Sequence, residues 1–330
     1  MTRLLRLACS LAAVATSTGW PSEAEAQQVD RPRRIFFVSS AADASLVKRV
    51  DCFRDGLGSL GWADGVSAAV ELRQTHGRPE EFAAALEEIN RVKPDLVAAS
   101  GTPAAQAMQR GVPRIPVVFM MVSDPVESGI VRSLRRPEGN LTGISNVLPS
   151  TTVKLLEVIK EVAPAASRIA FPYDSANPGK RIELRILQAR APGLGVSIEP
   201  HDLRAPRGVE RAFAAMKSSP PGAIIVPTDA MTTGASERIV AFIAQLRRAA
   251  IYQTSEYVDA GGLMSYGIDT CRHFRHAATL ADKILRGAKP GDLPVELPTS
   301  FEFVINLKAA RALGLKLPPS VLARADRLIE

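Results

Sequence analysis

Asp95-Leu96-Val97-Ala98-Ala99-Ser100-Gly101-Thr102-Pro103-Ala104-Ala105-Gln106 begins as a short apolar run, the pattern of a strand buried on both faces. The chain turns at Ser100-Gly101. Thr102 then reads as an N-cap and Pro103 as a first helical residue, where its missing N–H costs nothing. A strand whose carboxyl end opens into a helix start gathers free N–H groups and partial positive charge at one point. In open α/β sheets ligands bind there. The device recurs where Val117–Ser123 runs into Asp124-Pro125, and where Ile169-Ala170-Phe171 leads on to Asn177-Pro178. Three capped strand ends of one kind point to the walls of a single site.

Working outward in both directions gives the same alternation. Arg34–Val38 reads as a strand, Leu46–Leu57 as a helix, Val66–Leu72 as a strand and Pro79–Val92 as a helix with Phe82, Leu86 and Ile89 on one face. After the opening stretch come a helix at Ala104–Arg110, the Val117 strand, a helix over Pro125–Leu134 and a short strand at Leu141–Asn146. The order then starts again: helix Thr152–Val162, strand Arg168–Phe171, helix Pro178–Ala191, strand Val196–Ile198, helix Val209–Lys217, strand Ala223–Pro227, helix Ser236–Ala249. A strand at Ile251–Gln253, a helix over Arg272–Leu285, a strand at Ser300–Asn306 and helices through Ala309-Ala310 and Ser320–Glu330 complete it. Alternating elements predict an α/β fold with mostly parallel sheets, here in two similar halves.

At 330 residues the chain has room for two domains of ordinary size, and 46% hydrophobic with 23% charged residues is a globular composition. Its first 26 residues read as a secretory signal. Arg3 and Arg6 precede an apolar stretch from Leu7 to Trp20, and Ala24-Glu25-Ala26 fits small-x-small cleavage before Gln27. Cys9 lies too early for a lipoprotein signal, and Arg3 and Arg6 are not a twin-arginine pair. No later run reaches the length of a membrane helix. Arg3, Arg6, Glu23 and Glu25 cancel, so the net charge of +7 belongs to the mature chain. With export expected, that charge points to a solvated basic surface and away from nucleic acid. Cys52 and Cys271 remain after cleavage. An oxidising compartment permits a bridge, two buried thiols fit the sequence equally, and the spacing does not choose.

An enzyme needs more than these features. There is no G-x-G-x-x-G after the first strand, no P-loop and no G-x-S-x-G. His76, His201, His273 and His276 lack a zinc-type context, so neither a metal nor a cofactor is expected.

Gly101-Thr102-Pro103-Ala104-Ala105, Ser123-Asp124-Pro125-Val126, Leu141-Thr142-Gly143, Asn177-Pro178, Gly262–Gly267, Lys283–Pro290 and Val304–Ala310 together resemble the ABC-transporter substrate-binding proteins related to tryptophan/tyrosine-type solute receptors. The resemblance covers nearly the whole mature chain. It implies the type I periplasmic-binding-protein fold: two Rossmann-like lobes, three crossovers and a ligand closed in the cleft between them. Lobe I would take residues 33–147 and 268–297, and lobe II residues 148–267 and 298–330. The protein would be a periplasmic monomer that captures a small polar solute, an amino acid or related compound, and passes it to an inner-membrane ABC permease. The same fold would equally serve a receptor that reports its bound state to a membrane signalling protein.

For such a receptor the expected ligand groups are Ser39, Ser40, Gly101, Thr102, Ser123 and Asp124 from the first lobe, and Asn177, Thr228, Asp229 and Glu256 from the second. Helix-start N–H groups and hydroxyls suit a carboxylate, and the acidic groups suit an ammonium. Ordinary capping also accounts for Thr102, Asp124, Asn177 and Asp229, and Glu256 fits a cleft rim. No aromatic box is visible, which argues against an aromatic amino acid as ligand.

Overall fold

A computed structural model describes residues 31–330, apart from Ala42, Ala44 and Ala205. The signal-peptide reading of residues 1–26 lies outside the described residues. In chain order the elements are β1 (Arg33–Ser39), α1 (Leu46–Ser59), β2 (Ala68–Gln74), α2 (Pro79–Val92), β3 (Leu96–Ser100), α3 (Thr102–Gly111), β4 (Val117–Ser123), β5 (Leu141–Val147) and α4 (Pro149–Val162). Then follow β6 (Arg168–Tyr173), α5 (Pro178–Arg190), β7 (Ser197–Asp202), α6 (Gly208–Ser218), β8 (Ala223–Val226), α7 (Ala230–Gly234), α8 (Ser236–Leu246), β9 (Ala249–Tyr252), α9 (Glu256–Asp259) and β10 (Met264–Gly267). The chain closes with α10 (Thr270–Leu285), β11 (Glu302–Asn306), α11 (Leu307–Leu313), α12 (Pro319–Leu322) and β12 (Arg327–Ile329).

These strands form two sheets, one ordered β2-β1-β3-β4-β5 and one ordered β12-β11-β10-β9-β8-β6-β7. Every described pairing between named strands is parallel except β10 with β11. Alternation along each strand sends side chains to both faces. Ile35 and Phe37 enter one core, and Phe36 and Val38 the core on the other face. In the second sheet Ala223 and Ile225 face one core, Ile224 and Val226 the other. Four apolar layers therefore clad two sheets, which makes each half a Rossmann-like lobe. The chain crosses between the sheets three times: from β5 into α4, from β10 into α10, and along the extended segment before β11. The result is the type I periplasmic-binding-protein fold.

Cys52 on α1 and Cys271 on α10 form a disulfide, with Cα atoms 5.3 Å apart. The bridge staples α10, which re-enters the first lobe after the second crossover, to the helix that follows β1.

One expected helix is absent and another is cut short. Residues 125–134 fold as successive turns. Asp124 takes φ 40° and Gly129 φ 71°, and the Ser128 hydroxyl donates to the carbonyl of Ser123 at 3.1 Å and to that of Asp124. Left-handed backbone and side-chain bonds of this kind satisfy the local carbonyls without a helix. At the C-terminus, α12 stops at Leu322 and Arg327–Ile329 pairs with β11 as an edge strand. The Asp326 carboxylate accepts the Phe303 N–H at 2.8 Å, which sets that strand in register.

Candidate functional site

The first wall of the site is the start of α3. Gly101 is the N-cap, at φ 100°, and Thr102 is already helical, one position later than its sequence suggests. Only glycine suits that place, because a Cβ there would stand 2.6 Å from Ser40 Oγ. The capping side chain comes from elsewhere in the chain. Ser40 Oγ accepts the Ala104 N–H at 3.3 Å and donates to the Ser100 carbonyl at 3.1 Å. Thr102 is thereby released to another partner, and its Oγ1 accepts the Ser123 N–H at 3.3 Å.

Beside it β4 is bulged: its register with β5 shifts after Phe119, and Met121 takes φ 56°. The Met121 N–H freed by the bulge donates to Nε2 of buried His273 at 3.4 Å. An imidazole that accepts a hydrogen bond is neutral at that nitrogen. Burial, with His276 nearby, pushes the His273 pKa down to about 3.

The facing wall is the start of α5. Asn177 caps it, accepting the Gly179 N–H at 3.1 Å, and Pro178 occupies the first turn. Gly179 lets the helix approach the first lobe closely, since a Cβ there would lie 2.8 Å from both Ser123 Cβ and Thr102 Oγ1. Next comes Lys180, 2% exposed, with Glu183 one turn on at 1%. Their Nζ–Oε1 distance is 2.6 Å. Ser123 Oγ, from the first lobe, donates to Glu183 Oε1 at 2.7 Å, and Gln253 Nε2 donates to Oε2 at 2.5 Å. Gln253 Oε1 in turn accepts the Thr228 N–H at 2.7 Å. One polar network therefore runs from β4 through α5 to the ends of β8 and β9.

Asp229 caps α7. Its Oδ1 accepts the N–H groups of Met231 and Thr232 at 2.8 and 2.9 Å, and its Oδ2 accepts that of Asp174 at 3.0 Å. Burial pushes its pKa up, and the backbone donors and Lys180 pull it part of the way back. Burial likewise raises Asp174, against the pull of the Ala176 N–H and of Arg204 3.4 Å away.

Ser40, Ala41, Arg49, Ser100, Gly101, Pro103, Met121, Asn177, Lys180, Thr228, Asp229, Ala230 and Thr233 enclose a cavity of about 40 Å³ between these walls. Of the residues expected from sequence, Ser40, Gly101, Asn177, Thr228 and Asp229 line it. Ser39, Thr102, Ser123, Asp124 and Glu256 do not. Ser39 Oγ holds the Ala41 N–H. Thr102 and Ser123 are bonded behind the wall, as above. Asp124 Oδ1 accepts the Glu127 N–H in the following turn. Glu256 stands 3.8 Å from Arg49 Nε, reaching from α9 toward α1.

Sequence reasoning missed Lys180, Glu183, Gln253 and Arg49. Lys180 and Glu183 have the i,i+3 spacing common to solvated pairs, although their place one turn beyond a suspected site cap was a usable signal. Arg49 lies on a helix whose cleft-facing end no motif marks. It pairs with Asp43 at 3.1 Å. Burial raises the Asp43 pKa, and Arg49 and Ser45 outweigh it, leaving the carboxyl below its ordinary value.

A more open hollow of about 210 Å³ lies at the crossovers, lined by Ile144, Arg272, His276 and Glu296 among others. None of the expected site residues borders it. Among the described residues there is no group of three His, Cys, Asp or Glu side chains fit to hold a metal ion, and no helix long and apolar enough to cross a membrane.

Two Rossmann-like lobes, three crossovers and a buried polar cavity between facing strand ends define the class of two-lobed solute-binding proteins. Within that class the chain belongs to the ABC transporter substrate-binding protein family, whose profile matches residues 36–329. A tyrosine-binding protein of Clostridioides difficile (strain R20291) is 28% identical over 273 residues, 82% of this chain and 78% of that protein. The solved ABC domain from Streptococcus pneumonia in complex with L-Trp superposes with a TM-score of 0.83 at 26% identity, over 90% of this chain and 100% of that one. A conserved domain protein from Vibrio cholerae gives 0.84 at 26% identity, with the same coverage. An allitol-bound solute-binding protein from Agrobacterium vitis, at 17% identity and a TM-score of 0.59, over 84% of this chain and 96% of its own, shares the fold.

Proposed function

We propose that this protein is an extracytoplasmic receptor that captures a small amino-acid-like zwitterion between its lobes and delivers it to an ABC permease. The observation that carries the reading is the cavity itself. Groups of both signs, Lys180 and Arg49 with Asp229, meet the helix starts at Gly101 and Asn177 in a buried space. A solute touching both walls favours the closed arrangement by its differential contacts, which is how such a ligand drives closure. The relatives named for tyrosine and for L-Trp support an amino-acid ligand. Among the described residues no aromatic side chain borders the cavity, so a compact side chain fits this site better than an indole. Export is supported by the family and by the basic and apolar N-terminal sequence.

The test is thermal unfolding of the mature chain with each of the twenty L-amino acids, followed by small-angle scattering with any that stabilise. A ligand at one hundred times its Kd adds about 2.7 kcal/mol. The expected outcome is a raised Tm with a compact amino acid and a smaller radius of gyration in its presence. A flat response to all twenty overturns the reading.

A further inference from the structure

We propose that Lys180 is the residue that anchors the ligand's carboxylate and makes the site select acids over neutral solutes, an inference that rests on the amino-acid reading above. The position is a costly one for a cation. It lies in the first turn of α5, where the helix dipole disfavours positive charge, and it is 2% exposed. Its partner Glu183 does not depend on it alone. Ser123 Oγ and Gln253 Nε2 each donate to a different Glu183 oxygen, at 2.7 and 2.5 Å. The carboxylate is therefore already held by two neutral donors.

Lys180 has three N–H bonds to place. One goes to Glu183 at 2.6 Å; the other two partners, Ser123 Oγ and Gln253 Oε1, stand at 3.4 Å, the long limit of hydrogen bonding. Lys180 lines the cavity together with Asn177 and Gly101. A carboxylate entering there gains a charge-assisted bond that the resting contacts do not supply. Across the cavity Arg49 faces two carboxylates, Asp43 at 3.1 Å and Glu256 at 3.8 Å, and donates to Ser45 Oγ at 2.5 Å. Lys180 thus has one carboxylate in ion-pair contact where Arg49 has two, so its positive charge is the less fully offset of the two.

The experiment compares each amino acid that binds the wild-type protein with its α-carboxamide, by calorimetry. It uses the wild type, Glu183→Gln and the double variant Lys180→Gln/Glu183→Gln. The double variant removes both charges together, so that no unpaired ion is left to unfold the protein. The wild type is expected to prefer the acid by about 10- to 100-fold, the range of a hydrogen bond to a charged group. Glu183→Gln should keep that preference, and the double variant should lose it, with a ratio near one. Damage to the fold weakens acid and amide alike and leaves the ratio unmoved. A double variant that binds with the wild-type ratio overturns the role of Lys180 and leaves the amino-acid reading standing. A wild type that binds none of the twenty overturns both.

Discussion

The two lobes bury different kinds of titratable group behind their facing helix starts. Behind the first wall lies His273, held neutral against the bulge of β4 and accepting the Met121 N–H at 3.4 Å. Behind the second lies an ion pair, Lys180 and Glu183, tied by Ser123 and Gln253. A neutral ring costs little to bury once its hydrogen bonds are made, whereas an ion pair carries the desolvation of two charges. On the reading proposed above, the first wall supports and the second selects. The first lobe fixes backbone geometry at Gly101 and Met121. The second carries Lys180 and Asp229 to the cavity, and Arg49 of the first faces the same space.

Breaking the ion pair should have the largest effect. Lys180→Met leaves Glu183 buried without its cation, a change that costs about 3–5 kcal/mol in comparable sites. The double variant Lys180→Met/Glu183→Leu removes both charges and should recover most of that loss. Urea unfolding of the three proteins measures it. A single variant within about 1 kcal/mol of wild type, well short of the ~3–5 kcal/mol of a broken buried pair, means that the lysine is solvated and the contrast between the lobes is false.

The next effect tests what keeps the first wall rigid. Cys52 and Cys271 are 219 residues apart in sequence, and their bridge pins α10, which carries His273, to α1, which carries Arg49. Cys52→Ala/Cys271→Ala should lower stability by about 2–4 kcal/mol. A reductant should lower the wild-type Tm by a matching amount and leave the variant's unchanged. Equal sensitivity of the two proteins counts against the bridge.

Much of this frame is legible in the sequence because it is written in local patterns. The buried runs at Val97 and Ile224 predict central strands, and Asn177 and Asp229 before their helices predict caps, which the side-chain bonds at both sites show. What is not legible depends on tertiary placement. Lys180 and Glu183 have the spacing of a solvated pair, and only the docking of α5 against Ser123 buries them. The 125–134 segment has a helical pattern, but Ser128 and Gly129 turn it. Thr102 has the chemistry of a cap, yet Ser40, 61 residues before Gly101 (Ser40 and Ala104 being 64 apart), takes that task. Cysteine spacing left bridge and free thiols equal, since the two helices meet only after the second crossover.

The last effect is a matter of pH, and it belongs to the first lobe. Burial holds His273 at a pKa of about 3, against 6.5 for an ordinary histidine. Between those values the unfolded chain binds a proton that the folded chain refuses. The stabilising contribution is therefore complete above about pH 6.5 and is lost as pH falls toward 3, with a slope of at most about 1.4 kcal/mol per pH unit. His273→Gln keeps a side chain that accepts from Met121 and does not titrate. The measurement is the difference in unfolding free energy between wild type and variant from pH 7 to pH 4, which cancels the carboxylates common to both. Wild-type stability should fall relative to the variant as the solution is acidified. A difference that stays constant with pH means that His273 protonates as freely folded as unfolded, and the first wall then has no neutral support to set against the charged one.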